Sequence, residues 1–330
     1  MKLSKGLSLA LAIFVFAAGC TAENAPEPAS VHTSDYLRLL PESTNGLFFA
    51  NLAKLRETPL GEDLRGELAE NWHHDDEYLD FVEKTGVDLR KDVDEVWVAI
   101  VSEDSHDVMG GAVVRGRFDR QKIVDYLKTE HPHKFRQDSY RGFDIYIPKD
   151  EDEVFCFLND ETILAGKDAW LRRVLDLAVE GGKSVLDNPT MAEYITSIPH
   201  KDQLWGVLNL QELSDEWARQ LRGHSDFRGS QSIENMKSIV FYTEIDDAMR
   251  MFLSGNFDRD EEAELLAEML TGFKAMAKLA VSDDREAIDM LNDIKIKTEG
   301  TTVNVVAKLD RDFFDKFREK RRAFRGRKLL

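Results

Sequence analysis

The feature of this 330-residue chain that most constrains its fold is a strand-to-helix junction that occurs twice. One copy reads GGAVVRGRFDRQKIVDYL from Gly110, and the other reads AMRMFLSGNFDRDEEAELL from Ala248. In both copies apolar residues alternate as in a strand, Gly-x-Phe-Asp-Arg follows, and the spacing then becomes helical. The repeat predicts two copies of one structural unit. The matched pairs are Gly116 with Gly255, Phe118 with Phe257, Asp119 with Asp258, and Arg120 with Arg259.

The repeated motif has a structural explanation. A carboxylate just before a helix can accept hydrogen bonds from the free amides of the first turn, so Asp119 and Asp258 are predicted N-caps. Phe118 and Phe257 precede these positions, where an apolar side chain can pack onto the first helical turns. We therefore interpret the motif as a folding signal, with ligand contact as the alternative.

Other parts of the two halves also correspond, and they predict the fold class. Residues 153–166 and 295–309 are predicted hairpins that turn near Asn159-Asp160 and at Glu299-Gly300. Strands joined by short turns are antiparallel, and helices then cover one face of the sheet. The prediction is an α+β protein of two similar tandem units, each a mainly antiparallel sheet with helices packed on one face. The matched upstream segments are LFFANLAKL from Leu47 with WGVLNLQEL from Trp205, and VDEVWVAIV from Val93 with MKSIVFYTE from Met236.

The boundary between the units is predicted in the segment SVLDNPTMAEYITSIPHKD, residues 184–202, because it carries two prolines. This places the first α+β unit at residues 35–190 and the second at residues 191–330. The second unit has a long helical stretch without an equal in the first. Ser282 is its predicted second cap, and a basic helix is predicted at the C-terminus.

The N-terminal segment is a predicted export signal. Lys2 and Lys5 precede a twelve-residue run, Leu7–Ala18, that is apolar except for Ser8. This run is shorter than the roughly 20 residues that a membrane-spanning helix needs, and its basic start is typical of a secretory signal.

The end of this segment, Ala17-Ala18-Gly19-Cys20, resembles the lipobox of bacterial lipoproteins. The resemblance implies a signal peptide at residues 1–19, cleavage before Cys20 and a diacylglyceryl group on its thiol. Ordinary signal cleavage, for instance after Ala22, is the alternative and would give a secreted soluble protein.

Residues 20–34 are predicted to form the lipidated cysteine and a flexible tether, because the run TAENAPEPASVHT has no apolar periodicity. Residue 21 is Thr, and the resemblance implies that a lipoprotein without Asp at this place goes to the outer membrane, facing the periplasm. The opening of the body, LLPESTNGLFFANLAKL, is similar to uncharacterised secreted bacterial proteins of unknown function.

Composition excludes some classes of partner. With 42% apolar and 32% charged residues the chain is globular in type, and its formal net charge is −18. Removal of residues 1–19 takes away Lys2 and Lys5 and leaves −20. Such a chain repels nucleic acid. Residues 311–330 alone have nine basic and three acidic side chains, a local charge of +6 that could contact the acidic body or anionic lipid headgroups.

Several short patterns contain residue types that occur in metal, phosphate or catalytic sites, but their spacing favours structural roles. Adjacent histidines on a helix cannot both face one ion, a Gly-Lys-Ser run without the earlier glycine is not a phosphate loop, and three neighbouring residues do not form a triad. No catalytic, cofactor or metal residue is therefore predicted, and Cys156 is predicted to be a buried apolar residue. The patterns are His73-His74, His131 with His133, EGGKS at 180–184, and His224-Ser225-Asp226.

The predicted function is non-enzymatic binding or scaffolding by a protein anchored in the membrane through Cys20. A partner would be another envelope protein or an apolar ligand. The first alternative is a periplasmic carrier of a lipid or other apolar ligand, since a methionine-rich helical stretch could form an adaptable groove. The second alternative is a metal-assisted enzyme. The stretch contains Met269, Leu270, Phe273, Met276, Met290 and Leu291, for which core packing is the first interpretation.

Overall fold

The computed structural model describes residues 36–61, 76–103, 107–130, 133–149, 152–199, 203–212 and 235–310. Twelve strands form one antiparallel sheet. The strands are β1 Thr44–Asn51, β2 Val93–Glu103, β3 Asp107–Gly116, β4 Phe135–Tyr140, β5 Phe143–Pro148, β6 Glu153–Asn159, β7 Thr162–Lys167, β8 Leu204–Asn209, β9 Ser238–Ile245, β10 Met249–Asn256, β11 Lys295–Glu299 and β12 Thr302–Leu309.

The described helices connect these strands or precede them. They are α1 Tyr36–Leu39, α2 Leu52–Arg56, α3 Asp76–Thr85, α4 Leu89–Asp92, α5 Arg120–Glu130, α6 Asp168–Glu180, α7 Pro189–Ser197, α8 Asp260–Ala280 and α9 Arg285–Asp293, with a short 3₁₀ turn at Val185–Asp187.

The strand order across the sheet is β11-β12-β10-β9-β8-β1-β2-β3-β7-β6-β5-β4. The predicted α+β class with antiparallel pairing is confirmed. The strands of the two sequence halves nevertheless form one continuous sheet, because β1 pairs with β8 from Gly46 opposite Leu208 to Ala50 opposite Leu204. The division at residue 190 stays a prediction, and the segment 184–202 contains the 3₁₀ turn and α7.

Helices cover both faces of the sheet around β3, β6 and β7, so the prediction of helices on one face is wrong there. On the face that carries Trp97 and Trp205, named the tryptophan face, buried residues of α6 and α7 pack on β1, β2, β7 and β8. On the opposite face, α3, α4 and α5 pack on β2, β3, β6 and β7. The reason is the composition of these strands, which are apolar on both faces. In β6, Cys156 joins the first cluster and Phe155 and Phe157 join the second.

In the C-terminal half, α8 lies on the opposite face. Ala263 and Leu266 of α8 are buried with Phe257 and Val303. Val303 pairs with Gly255, Gly255 pairs with Ile239, and Ile239 pairs with Leu208. Val207, the neighbour of Leu208 on β8, lies on the tryptophan face. Because successive side chains of a strand point to opposite faces, Leu208, Ile239, Gly255 and Val303 lie on the other face, and so does α8.

The repeated motif is helical at both places, but only one copy is capped as predicted. Asp119 accepts a hydrogen bond from the Lys122 amide at 3.1 Å. In α8 the N-cap position is Arg259, whose side chain makes no capping hydrogen bond. Asp258, the predicted cap, forms an ion pair with Lys237 instead. Both phenylalanines of the motif, Phe118 and Phe257, are buried as the staple interpretation requires.

Other local predictions have mixed outcomes. The hairpin at 295–309 is confirmed, with Glu299 opposite Thr302 and Gly300 at φ 56°. The hairpin at 153–166 is also confirmed, since Asn159 pairs with Thr162. The prediction for Ser282 is wrong, because α9 begins three residues later and Asp284 accepts from the Ala287 amide at 3.1 Å.

A glycine pair allows α6 to approach the sheet. Gly111 of β3 pairs with Gly166 of β7. A Cβ at Gly111 would lie 2.3 Å from ring carbons of Trp170, which is 1% exposed, and 2.5 Å from the Ala165 carbonyl oxygen. The indole of Trp170 therefore rests directly on backbone.

We expect Gly111→Ala to lower the free energy of unfolding by about 3 kcal/mol, because neither the buried indole nor the backbone carbonyl has room to move. Gly272→Ala is the matched control, since an added Cβ there meets nothing within 4 Å. In this helical position alanine should raise the free energy of unfolding by about 0.5–1 kcal/mol. Urea denaturation followed by circular dichroism measures both, and equal stabilities would contradict the packing at Trp170.

Candidate functional site

The tryptophan face continues into the C-terminal half, where α8 lies on the other side. Phe252 pairs with Tyr242, and Tyr242 pairs with Trp205, so these rings share one face. Tyr242 borders the large core, whereas Phe252, Ser254, Asn304 and Val306 are in none of the four hydrophobic clusters of the described residues. We call this surface the open face; it comprises Tyr242, Phe252, Ser254, Asn304 and Val306.

The open face is an aromatic and polar platform. The rings of Tyr242 and Phe252 are stacked, with centroids 4.6 Å apart and planes 10° apart. Ser254 donates its hydroxyl to the Asn304 side-chain oxygen at 2.6 Å. Burial, with a smaller contribution from the charge of Glu244, raises the pKa of the Tyr242 hydroxyl above its ordinary value. All five residues of the open face are half-buried, so the surface is partly shielded from water.

A cleft opens at one end of this platform, where β9 turns into β10. Its volume is about 400 Å³, which falls within the roughly 300–1,000 Å³ of typical ligand sites. It contains basic and acidic side chains in equal number. We call it the turn cleft; its lining residues are Lys54, Gln203, Thr243, Glu244, Ile245, Asp246, Asp247, Ala248, Arg250 and Lys308.

The floor of the turn cleft is fixed by hydrogen bonds. The Gln203 side-chain amide donates to the Ile245 carbonyl and accepts from the Ile245 amide. It thus makes the pair of hydrogen bonds that a residue of a neighbouring strand would make with the end of β9. Arg250 forms an ion pair with Glu244 at 2.7 Å. Lys308, Asp246 and Asp247 are exposed. Such a cleft can bind a ligand with charges of both signs.

A row of polar side chains crosses the other end of the same face. Asn209, Ser238, Asn256 and Thr302 are neighbours in register on adjacent strands. Asn256 donates to the Ser238 hydroxyl at 2.8 Å and accepts from the Thr302 hydroxyl at 2.8 Å. Ser238, Asn256 and Thr302 hydrogen-bond to one another, and Asn209 accepts from the Gln211 amide. The row therefore helps to fix strand register and adds stability.

The sequence-predicted site residues fall into two groups. Cys20, His73, His74, His131 and the run His224-Ser225-Asp226 lie outside the described residues. Of the others, His133 is exposed and distant in sequence from the cleft lining.

The EGGKS run is a helix stop, as its residues predict. The Gly181 amide donates to the Leu177 carbonyl, Lys183 pairs with Glu42, and Ser184 is the N-cap of the 3₁₀ turn at Val185–Asp187. Cys156 is fully buried and free, and burial raises the pKa of its thiol, so the prediction of a buried apolar residue is confirmed.

The methionine-rich stretch is only partly core. Met269 and Leu270 pack against the cluster around Val303, but Met276 is 55% exposed. Within the described part of the chain, no group of three His, Cys, Asp or Glu side chains is placed to hold a metal ion. No described helix is both long and apolar enough to span a bilayer.

Comparisons with known proteins assign no family. No protein-family model matches the chain, and no curated protein matches it. A solved structure described as crystal form I of TP0453 has 9% sequence identity and a TM-score of 0.47, and the match covers 87% of this chain and 96% of that chain. This similarity is too low to assign a function.

Sequence reasoning missed the turn cleft. Its lining comes from α2, from the residue before β8, from the β9–β10 turn and from the end of β12, which are far apart in sequence. The only local signal was the pair Asp246-Asp247 between two alternating segments, which indicates a turn. No sequence pattern indicates that Lys54 and Lys308 lie close to this turn.

We expect a titration of Tyr242 to show its raised pKa. Absorbance at 295 nm for the unaltered chain minus that for Tyr242→Phe isolates this tyrosine, and its midpoint should lie above 10. The neutral form is favoured in the folded state, so its stabilisation is complete below pH 10 and is lost as pH rises through the folded pKa. Glu244→Gln should lower the midpoint without abolishing the shift, since burial is the larger cause. A midpoint at or below 10 would contradict the shielding of this face.

Proposed function

We propose that the protein is a lipid-anchored component of the bacterial cell envelope that binds a partner without catalysing a reaction. The anchor is the diacylated Cys20, the tether is residues 20–34, and the body faces the periplasm from the outer membrane. The observation that carries the binding proposal is the turn cleft, a pre-formed site of about 400 Å³ whose floor Gln203 holds in place.

The proposal includes duplication of one unit. Strand order supports it. Counted outward from the β1–β8 pair, the order is β1-β2-β3-β7-β6 in one half and β8-β9-β10-β12-β11 in the other, so each strand has a counterpart at the same place. The helix after β3 and the helix after β10 both pack on the opposite face. The hairpin β4–β5 is an insertion at the edge of the first unit.

The chemistry of the turn cleft favours an envelope protein or peptide segment as partner. Lys54, Arg250 and Lys308 can contact carboxylates, and Asp246 and Asp247 can contact basic groups. Of the ten lining residues, only Ile245 and Ala248 have wholly apolar side chains. The carrier and the metal-assisted enzyme are therefore not parts of the proposal.

The anchor is tested with two matched cysteine variants. Cys20→Ser should move the protein from the membrane fraction to the soluble envelope fraction, because no thiol is left to acylate. Cys156→Ser, which alters the buried cysteine, should stay with the membrane. Membrane fractionation and immunoblotting measure both, and a Cys20→Ser protein that remains in the membrane would show the lipoprotein assignment to be wrong.

The cleft is tested in the same cells with a photo-crosslinking residue at Asp247. A specific product should form there and should be absent with the crosslinker at Arg136, an exposed position on the edge strand β4. Lys308→Glu should reduce the product, because it reverses a charge in the cleft, whereas Lys297→Glu on β11 should leave it unchanged. The same product from both crosslinker positions would refute binding at the cleft.

A further inference from the structure

We propose that two copies of this chain associate through α8, with the two helices antiparallel and in contact around Gly272. The proposal goes beyond binding at the turn cleft and uses neither that cleft nor the anchor at Cys20. It assigns a partner, a second copy of the same chain, to the helix on which exposed large apolar side chains are concentrated.

α8 presents apolar side chains to solvent on the side away from the sheet. Leu265, Met276 and Leu279 are 56%, 55% and 76% exposed, and they are three of the five exposed large apolar side chains among the described residues. Ala263 and Leu266, which pack on the sheet, lie on the other side of the helix. One helix thus has a buried apolar side and a second, exposed apolar side.

α9 packs against a different side of α8. The Lys274 ammonium of α8 donates to the carbonyls of Asn292 and Ile294 at the end of α9. Two residues along a helix turn the side-chain direction by about 200°, so Lys274 lies on the side opposite Gly272. The exposed side around Gly272 therefore faces away from α9 as well as from the sheet.

The exposed positions of α8 are symmetric about Gly272. Leu265 and Leu279 lie seven residues before and after it, and Glu268 and Met276 lie four residues before and after it. Steps of four and seven residues keep all these positions on one side of a helix. A two-fold axis at Gly272 would pair each Leu265 with Leu279 of the second copy and each Glu268 with Met276 of the second copy. Such self-complementarity is what a two-fold interface requires.

Gly272 allows the two helices to approach closely. A Cβ at this position would meet nothing within 4 Å, so the space above it is open. Ala275, on the same side, is exposed and also small. Packed helices have axes about 8–10 Å apart, and small residues at the contact permit the shorter separations.

Charge favours the antiparallel orientation and a second copy. Glu264 and Glu268 in the first half of α8 and Lys278 in the second half lie on the same flank of the exposed side. In the antiparallel pair Lys278 comes opposite position 266 of the second copy. It then lies between Glu264 and Glu268 of that copy, displaced from each by about 3 Å along the axis. Glu261, Glu264 and Glu268 are exposed and would repel anionic lipid headgroups, so a bilayer is the less suitable partner.

Sedimentation velocity of the purified full chain from about 1 to 100 μM tests the association, because an interface of one helix from each copy is small and should be reversible. Cys20→Ser is used throughout, since a lipid anchor or a second reactive thiol would itself link copies. Leu279→Asp should raise the dissociation constant at least about tenfold, because each dimer loses two leucine contacts. Val179→Asp alters a 53% exposed apolar side chain on α6 and is the matched control, which should leave the constant unchanged.

Charge exchange tests the orientation without removing an apolar side chain. Lys278→Glu alone, and Glu264→Lys with Glu268→Lys in one chain, should each weaken the dimer about threefold or more at low salt. An equimolar mixture of these two variants should recover the dimer, because every facing pair of charges is then opposite in sign. Recovery on mixing also shows that the variants are folded.

Disulfide formation tests the register. Gly272→Cys should form a disulfide between two copies of itself, because it lies on the two-fold axis. Leu265→Cys and Leu279→Cys should link when mixed but not alone, since two copies of either residue would be about 21 Å apart along the axis, beyond the roughly 7 Å reach of a disulfide. Cys156 is 0% exposed and takes no part.

Several results would overturn the proposal. The chain could stay monomeric up to about 100 μM, or Val179→Asp could weaken the dimer as much as Leu279→Asp does. Leu265→Cys that links to itself as fast as to Leu279→Cys would exclude the antiparallel pair. Binding to phosphatidylglycerol vesicles that Leu279→Asp abolishes, in a chain that stays monomeric, would indicate a lipid surface instead. None of these results alters crosslinking at Asp247 or the fractionation of Cys20→Ser.

Discussion

The pairing of β1 with β8 is the contact on which the rest of the architecture depends. It joins strands separated by about 150 residues of chain and turns two sets of strands into one sheet. We call this pairing the joint. Phe49, Trp97 and Trp205 pack over it, with ring centroids 4.2 to 5.8 Å apart. Aromatic rings in such contacts add stability beyond their buried area. Without the joint, both halves would expose a long apolar strand edge.

The two faces differ along the sheet because the composition of the strands changes. Near β3 and β7 the strands are apolar on both sides, so helices must cover both. Toward β10 and β12 the tryptophan face becomes mixed, with Ser254 and Asn304 beside Phe252. A face that combines polar and apolar side chains can contact water as well as protein, and the turn cleft lies at the end of this face. The indole N–H groups of Trp97, Trp170 and Trp205 are buried without hydrogen bonds, a cost that dense aromatic packing must offset.

Local structure was predictable from the sequence, whereas long-range placement was not. The 295–309 hairpin and the buried phenylalanines of the repeated motif follow from short patterns. Asp258 was misassigned because an ion pair with Lys237 competes with capping, and Ser282 because Asp284, two residues on, is an equally good cap. Strand alternation cannot reveal which strands meet, so the single sheet and the turn cleft were not accessible. Cys20 remains a prediction from its motif.

The most direct test of this account is hydrogen exchange by mass spectrometry across a urea series. Peptides from β2 in the first half and from β9 in the second should lose protection at one common urea concentration, because β1 and β8 couple the halves into one cooperative sheet. Trp205→Ala should shift both midpoints downward together. Two separate midpoints in the unaltered chain, or a shift confined to β9, would contradict the account.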